Sequence, residues 1–152
     1  MLNMPPRATS LLIAIIAFVI IAGAWIFEYY GYAPCELCLL QRWPYYIGIP
    51  VALVVAAWNP AWIRGALWVM AIWWLGSAIF GAYHSGVEWG WWQGPVTCSG
   101  GDVNFGDGLP DLNKMAVRCN EAALRILGLS LAGWNAVVSL VLSLLALRGA
   151  RR

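Results

Sequence analysis

Charge is what this sequence has least of. Asp, Glu, Lys and Arg together make up 11% of its 152 residues, where a soluble domain carries about 25%. Apolar residues reach 62% and the mean hydropathy is +0.71, so a soluble globular core is excluded and an integral membrane protein is indicated. No basic run occurs outside the last few residues, which excludes the electrostatic footprint of a nucleic-acid binder. Histidine occurs once, and there is no haem motif or flavin fingerprint to carry electrons. Internal repeats and low-complexity tracts are also missing. The length suits one domain, 1–152.

The little charge present punctuates four apolar runs. Thr9 to Phe27 is 19 residues without a charge, which at 1.5 Å per residue nearly spans a ~30 Å hydrocarbon layer. A cleaved signal peptide is the competing reading, with Arg7 as its charged start and Ala22-Gly23-Ala24 as the cleavage site. The run is longer than a signal core and ends in the aromatic cluster Trp25, Phe27, Tyr29 and Tyr30, as an interfacial anchor does. Trp43 to Trp58 is a second span, with Pro44 in its first turn and Pro50 expected to kink it. Gly65 to Tyr83 and Ile126 to Leu147 are the third and fourth. The predicted fold is an all-α membrane protein, an antiparallel four-helix transmembrane bundle with spans at about 9–29, 42–58, 64–83 and 126–147. Two loops, 30–41 and 84–125, lie on one side.

Arg7, Arg64, Arg148, Arg151 and Arg152 flank one face of this arrangement, while all seven acids fall on the other. Counting only Lys and Arg near span ends, the terminal side is predicted to be cytoplasmic and both loops exported. Trp25, Trp43, Tyr83, Trp89, Trp91 and Trp92 then form an outer aromatic belt. Glu28, Glu36 and Glu88 read as solvated loop charges. Leu112, Met115 and Ala116 are spaced for a short helix on the membrane surface. Asn120 is placed to cap a helix starting at Glu121, just after Cys119.

All four cysteines fall on the exported, oxidising side. Cys35 and Cys38 stand in Cys35-Glu36-Leu37-Cys38, opening the second span. A Cys-x-x-Cys pair closes too small a loop to be an effective staple, but it is a common redox unit. A helix start near Cys38 would place that sulfur at the positive end of the dipole, one turn from the guanidinium of Arg42, and both favour a thiolate. A zinc site would want two close pairs, and Cys98 and Cys119 are separated by twenty residues, so no metal is expected. Two structural bridges are the remaining bland reading. Four thiols in two loops instead suggest a relay, with Cys98 and Cys119 reaching a soluble partner and Cys35 and Cys38 at the membrane surface. A two-electron sink is then needed, and a lipid-soluble quinone fits a pocket between apolar helices. Arg42 is the candidate to hold a quinone carbonyl, although an arginine at a span end often only snorkels. His84, at the end of the third span, is a candidate proton relay to the quinone.

These residues resemble the bacterial disulfide-bond formation protein B (DsbB) family. The matching features are Cys35-x-x-Cys38-x-x-Gln41-Arg42, Gly81-Ala82-Tyr83-His84, and Cys119-Asn120-Glu121 followed by Leu127-Gly128-Leu129 and Trp134. The resemblance covers nearly the whole chain. It implies an enzyme, a thiol oxidase of the bacterial inner membrane that reoxidises a periplasmic DsbA-like dithiol oxidase and reduces ubiquinone or menaquinone. By similarity, Cys98 forms the mixed disulfide with the partner, Cys119 exchanges with Cys35, and Cys38 is freed against the quinone, with Arg42 and His84 nearby. The family often has an acidic residue before the arginine, where this chain has Gln41. Leu131 stands where a methionine can line the quinone site. Vitamin K epoxide reductase-like proteins also combine four spans with cysteine pairs, but their loop pair usually precedes the Cys-x-x-Cys.

Overall fold

The structure is a computed structural model describing residues 4–58, 61–95 and 118–152. Helix α1 runs over Pro6–Tyr29, α2 over Glu36–Leu40, α3 over Trp43–Trp58 and α4 over Ile63–Glu88. A hairpin of β1 (Arg125–Ile126) and β2 (Leu129–Ser130) precedes α5, Leu131–Ala150. Among the described residues, four segments are long and apolar enough to cross a membrane: Pro6–Tyr29, Glu36–Trp58, Ile63–Glu88 and Leu131–Ala150. The all-α bundle expected from hydropathy is therefore present. Cys98 and the segment proposed as a surface helix at 112–116 lie outside the described residues.

Pro6 opens α1 at a position where a missing N–H costs nothing. The α3 helix stays continuous through Pro50, where the sequence suggested a kink. Pairs of helices meet through small residues and hydroxyls, as membrane packing favours when lipid offers no hydrophobic drive. Helices α1 and α3 are tied by Ser10 Oγ donating to Ala52 O at 2.8 Å. Helices α4 and α5 pack most intimately. Ser143 Oγ donates to Ala71 O at 2.7 Å, and a Cβ placed on Gly81 would sit 2.8 Å from Ala136 N. The core includes Ile13, Ala17, Tyr45, Leu67, Trp74 and Leu142. Outward faces carry exposed Phe18, Val19, Val69, Ile72 and Ile79, the apolar surface a bilayer would cover.

Two tryptophans that the sequence left unassigned now have packing roles. Trp74 is fully buried, edge-on to Tyr45 with ring centroids 5.1 Å apart. The absence of a side chain on Gly48 makes room for it, because a Cβ there would lie 2.8 Å from the Trp74 ring. Trp73 Nε1 donates to Pro44 O at 3.1 Å, joining α4 to α3.

After the third span, element ends depart from the sequence expectation at three places, and each shift moves functional residues. First, α4 continues to Glu88 rather than ending at Tyr83, which puts His84 and Glu88 one helical turn apart on one rigid face. Glu88 is buried, not solvated: its side chain is 5% exposed. Second, Cys119-Asn120-Glu121 lies in turns with no helix at Glu121. Third, the last helix begins at Leu131, not Ile126. Leu127 and Gly128 both take positive φ, 52° and 85°, the signature of a two-residue hairpin turn. The chain thus reverses before Ser130 caps α5 by accepting from Gly133 N at 3.1 Å. Trp134 Nε1, donating to Ile126 O at 2.9 Å, fastens the hairpin to the helix.

The aromatic residues do gather at the cysteine-bearing end. Tyr83 stacks on Trp92 at 6.0 Å, Trp89 on Trp91 at 6.5 Å, and Trp25 on Tyr46 at 6.1 Å.

Candidate functional site

The helix carrying the Cys pair starts at Glu36, not at Cys38, and Cys35 is its N-cap. An N-cap side chain points back at the free N–H groups of the first turn. Here Cys35 Sγ accepts from Cys38 N at 3.3 Å. Cys38 Sγ lies 2.9 Å from Cys35 Sγ, both cysteines being free thiols. His84 Nε2 is 3.5 Å away on the other side. The hydrogen bond from the Cys38 thiol, then those from His84 and the Cys38 amide, hold the Cys35 thiol well below the usual thiol range, against the opposing effect of burial. In the dithiol form the negative charge therefore rests on Cys35, where the sequence reading put it on Cys38. The helix start, two residues earlier than expected, contributes by aiming the Cys38 amide at Cys35, but the Cys38 thiol and His84 contribute more.

Arg42 does not sit over the sulfurs. Its Nη1 donates to Glu28 Oε2 at 2.6 Å, closing an ion pair between the end of α1 and the start of α3. Glu28 is thus a partner that orients Arg42 rather than a free loop charge.

Behind the sulfurs a line of polar side chains runs into the bundle. His84 Nδ1 is 2.7 Å from Gln41 Nε2. An amide nitrogen only donates, so Nδ1 accepts, and the ring hydrogen sits on Nε2, facing Cys35. Asn135 Nδ2 donates to Gln41 Oε1 at 2.9 Å, which orients the Gln41 amide. Asn135 Oδ1 in turn accepts from Tyr45 Oη at 2.5 Å and from Ser139 Oγ at 3.4 Å. Ser139 also meets Ser77 at 3.0 Å. The Tyr45, Asn135 and Gln41 donors in this chain point towards His84 and Cys35, so their dipoles add at the sulfur.

The sequence reading missed Gln41, Tyr45 and Asn135 as members of the site. A signal existed: Asn135 is an uncompensated polar residue within an apolar span, where such groups are expensive and tend to be functional. Gln41 was visible only as a departure from a pattern.

Cys38, Gln41, Arg42, Tyr45 and Asn135 reach the wall of a cavity of about 400 Å³. The rest of its lining is apolar, with Ile20 and Phe27 from α1, Leu131, Trp134 and Val138 from α5, and Ile126 from the hairpin. His84 is absent from that wall. It is fully buried and connects to the cavity through Gln41. Cys119, 1% exposed, shares a small buried cluster with Cys35 and Leu37, against which Cys38 and Phe80 pack. It is in a disulfide. Three of the four predicted cysteines are thus brought together, and the fourth, Cys98, lies outside the described residues.

Comparison with known proteins agrees with this arrangement. The family model for disulfide bond formation protein DsbB matches residues 6–148. An uncharacterized protein, RP370, of Rickettsia prowazekii is 29% identical over 146 residues, covering 90% of this chain and 83% of that protein. Disulfide bond formation protein B of Albidiferax ferrireducens is 28% identical over 134 residues, covering 82% of this chain and 75% of that protein. No solved structure matches. A family match along almost the whole chain, together with the four-helix architecture, places the protein: it belongs to the DsbB family and is a disulfide-bond-forming membrane protein.

Proposed function

We propose that the protein is a quinone-dependent thiol oxidase that reoxidises a periplasmic DsbA-like dithiol oxidase, with Cys98 and Cys119 facing the partner and Cys35 and Cys38 facing the quinone. The observation that carries this reading is the position of Cys38. Its side chain lines a largely apolar cavity of about 400 Å³ between membrane helices, next to Arg42, Gln41 and Asn135. A small-molecule site has that form: apolar walls with a few convergent polar groups. The four uncharged spans and the arginines at their opposite end support an inner-membrane location with both termini cytoplasmic.

The residues suit the chemistry. Once a partner thiolate has attacked Cys98 to form the mixed disulfide and released Cys119, attack of the Cys119 thiolate on Cys35 Sγ would break a Cys35–Cys38 disulfide, form a Cys35–Cys119 bond and release the electron pair onto Cys38 as a thiolate. The shared burial of Cys119 and Cys35 supports that exchange. Released Cys38 then stands on the cavity wall. A ubiquinone or menaquinone bound in the cavity supplies a sink for two electrons and two protons. Arg42, held by Glu28, would fix a carbonyl oxygen. His84 would donate from Nε2 to Cys35 and so favour its thiolate, and as the one imidazole beside the sulfurs it would supply protons for the reduction.

The test is quinone reduction driven by a reduced DsbA-like protein, with wild type compared against Cys38→Ser. Loss of turnover is expected, and undiminished turnover would reject the proposal. Two inert structural bridges, the competing reading, would not change their trapping pattern when quinone is supplied or withheld.

A further inference from the structure

Cys35 Sγ, Cys38 Sγ and His84 Nε2 lie within 4.8 Å of one another, at the meeting of α2 and α4 and away from solvent. The sequence argued against a metal because the other two cysteines are far apart, but the third donor comes from a different helix. A fourth candidate stands beside the histidine, outside the set of three that lie within 4.8 Å of one another, and would have to swing towards the sulfurs. Glu88, one turn after His84, has Oε1 3.8 Å from His84 Nε2. Its Oε2 is buried with no hydrogen-bond partner among the described residues, and the other polar neighbours of the carboxyl are Ser130 and the Arg125 guanidinium. An orphaned carboxylate oxygen in a buried site is costly and calls for an explanation.

We propose that the dithiol form of this protein binds one thiophilic dication of the zinc class through Cys35 Sγ, Cys38 Sγ, His84 Nε2 and Glu88.

Two thiolates, one imidazole and one carboxylate are the donor set zinc takes in tetrahedral sites. With Zn–S about 2.3 Å and Zn–N about 2.0–2.1 Å, a tetrahedral edge between sulfur and nitrogen is about 3.5 Å. The Cys35–His84 separation, 3.5 Å, already matches. The two sulfurs, 2.9 Å apart, must open to about 3.8 Å. Cys38 is only half-buried and faces the cavity, so a small rotation of its side chain has space. Binding releases the remaining thiol protons and leaves the two sulfurs reduced; no electron moves. A Cys35–Cys38 disulfide has no thiolate to offer, so the site exists only in the reduced protein.

A metal on Nε2 needs a lone pair there, so Nδ1 must carry the ring hydrogen and meet an acceptor, the usual support for a ligating histidine. A half-turn of the Gln41 amide presents Oε1 to Nδ1. Asn135 then turns likewise, accepting from Gln41 and donating to hydroxyls. The chain ends in Tyr45, Ser139 and Ser77, whose hydroxyls both donate and accept, so it reverses without stranding a group. An occupied site would hold the cysteines reduced and stop thiol exchange.

The experiment needs neither quinone nor partner, so its failure is separable from failure of the proposed function. Full-length protein in nanodiscs, wild type and Cys98→Ser/Cys119→Ser, is reduced, freed of reductant without oxygen and titrated with cobalt(II). One equivalent should bind, with a thiolate-to-cobalt charge-transfer band and the intense visible bands of four-coordinate geometry, both displaced by zinc. The same protein oxidised at Cys35 and Cys38 should show neither, a comparison that needs no destabilising variant at the site. Glu88→Gln should weaken zinc binding about 10–100-fold in competition with a chelator. Absence of the charge-transfer band in the reduced Cys98→Ser/Cys119→Ser protein, equal binding by the oxidised protein, or unchanged zinc affinity in folded Glu88→Gln would overturn the four-ligand site.

Discussion

His84 holds Cys35 from one ring nitrogen and is itself held by Gln41 from the other: Nε2 is 3.5 Å from Cys35 Sγ, and Nδ1 is 2.7 Å from Gln41 Nε2. The residue standing where an acid is frequent in the family therefore decides which nitrogen carries the hydrogen that faces the sulfur. The two caps of α2 meet α4 at this contact, so the protonation state of the first cysteine is a property of the assembled bundle.

Gln41→Leu should remove the donor that fixes His84, and it leaves His84 Nδ1 and Asn135 Nδ2 unpaired. A hydrogen bond to a charged group contributes about 1.5–3 kcal/mol, so the midpoint of the pH profile for Cys35 alkylation in the reduced protein should rise by about one to two pH units. Gln41→Glu should behave differently from Gln41→Leu, because a carboxylate can only accept from Nδ1. Equal alkylation rates in all three proteins, followed by mass spectrometry, would remove Gln41 from this role.

The depressed Cys35 thiol also predicts a pH dependence. A group whose folded pKa lies below its unfolded value stabilises the fold above the unfolded pKa and loses that contribution as pH falls through the folded one. The reduced protein should thus lose stability as pH drops from the ordinary thiol range, near 8.5, down to the lowered value. The oxidised protein should lack this component, because neither sulfur titrates. Denaturation midpoints of the two redox forms across that range check the difference. Parallel curves would mean that Cys35 carries no special charge.

Arg42→Ala should raise the apparent KM for quinone far more than it slows exchange at Cys98 and Cys119. Glu28→Gln should have a smaller effect in the same direction, because the 2.6 Å ion pair orients the guanidinium on the cavity wall. Steady-state kinetics with varied quinone separate the two. An unchanged quinone dependence in Arg42→Ala would take the arginine out of the site.

Cys98→Ser and Cys119→Ser should each block electron transfer from the DsbA-like partner, while Cys35 and Cys38 remain able to react with quinone. The half-reactions can be followed separately, by mixed-disulfide trapping and by quinone absorbance. Loss of both in either variant would contradict the division of labour.

Gly81→Ala should separate α4 from α5. The added Cβ would lie 2.8 Å from Ala136 N and 3.0 Å from Asn135 Nδ2, contacts with backbone and site that have little room to give. Overpacking of this kind costs about 1–3 kcal/mol, and the displaced Asn135 should lower activity too. Gly23→Ala, with nothing near its Cβ, is the control, and unfolding in detergent is the measurement. Equal stability of the two variants would contradict the close α4–α5 approach.

The four spans were legible in the chain because lipid imposes a one-dimensional rule: about twenty apolar residues cross it, and charges stop at its surface. The redox character was legible for a similar reason, since Cys35 and Cys38 are neighbours in sequence and their spacing alone brings the sulfurs together. Other features depend on contacts between residues about 40 to 90 positions apart, which no local pattern encodes. Glu88 looked like a solvated charge until α4 carried it inward beside His84, and Asn135 gained its role only by meeting Gln41 across the bundle. The sulfur that bears the charge was misplaced because helix starts depend on capping geometry, and a shift of two residues makes Cys35 the cap that the Cys38 amide and thiol both face. Composition and spacing determined that this is a membrane protein with a dithiol at the mouth of a bundle. Packing decided what surrounds each sulfur, because the electrostatics of a buried atom are set by whichever side chains the fold brings within a few ångströms of it.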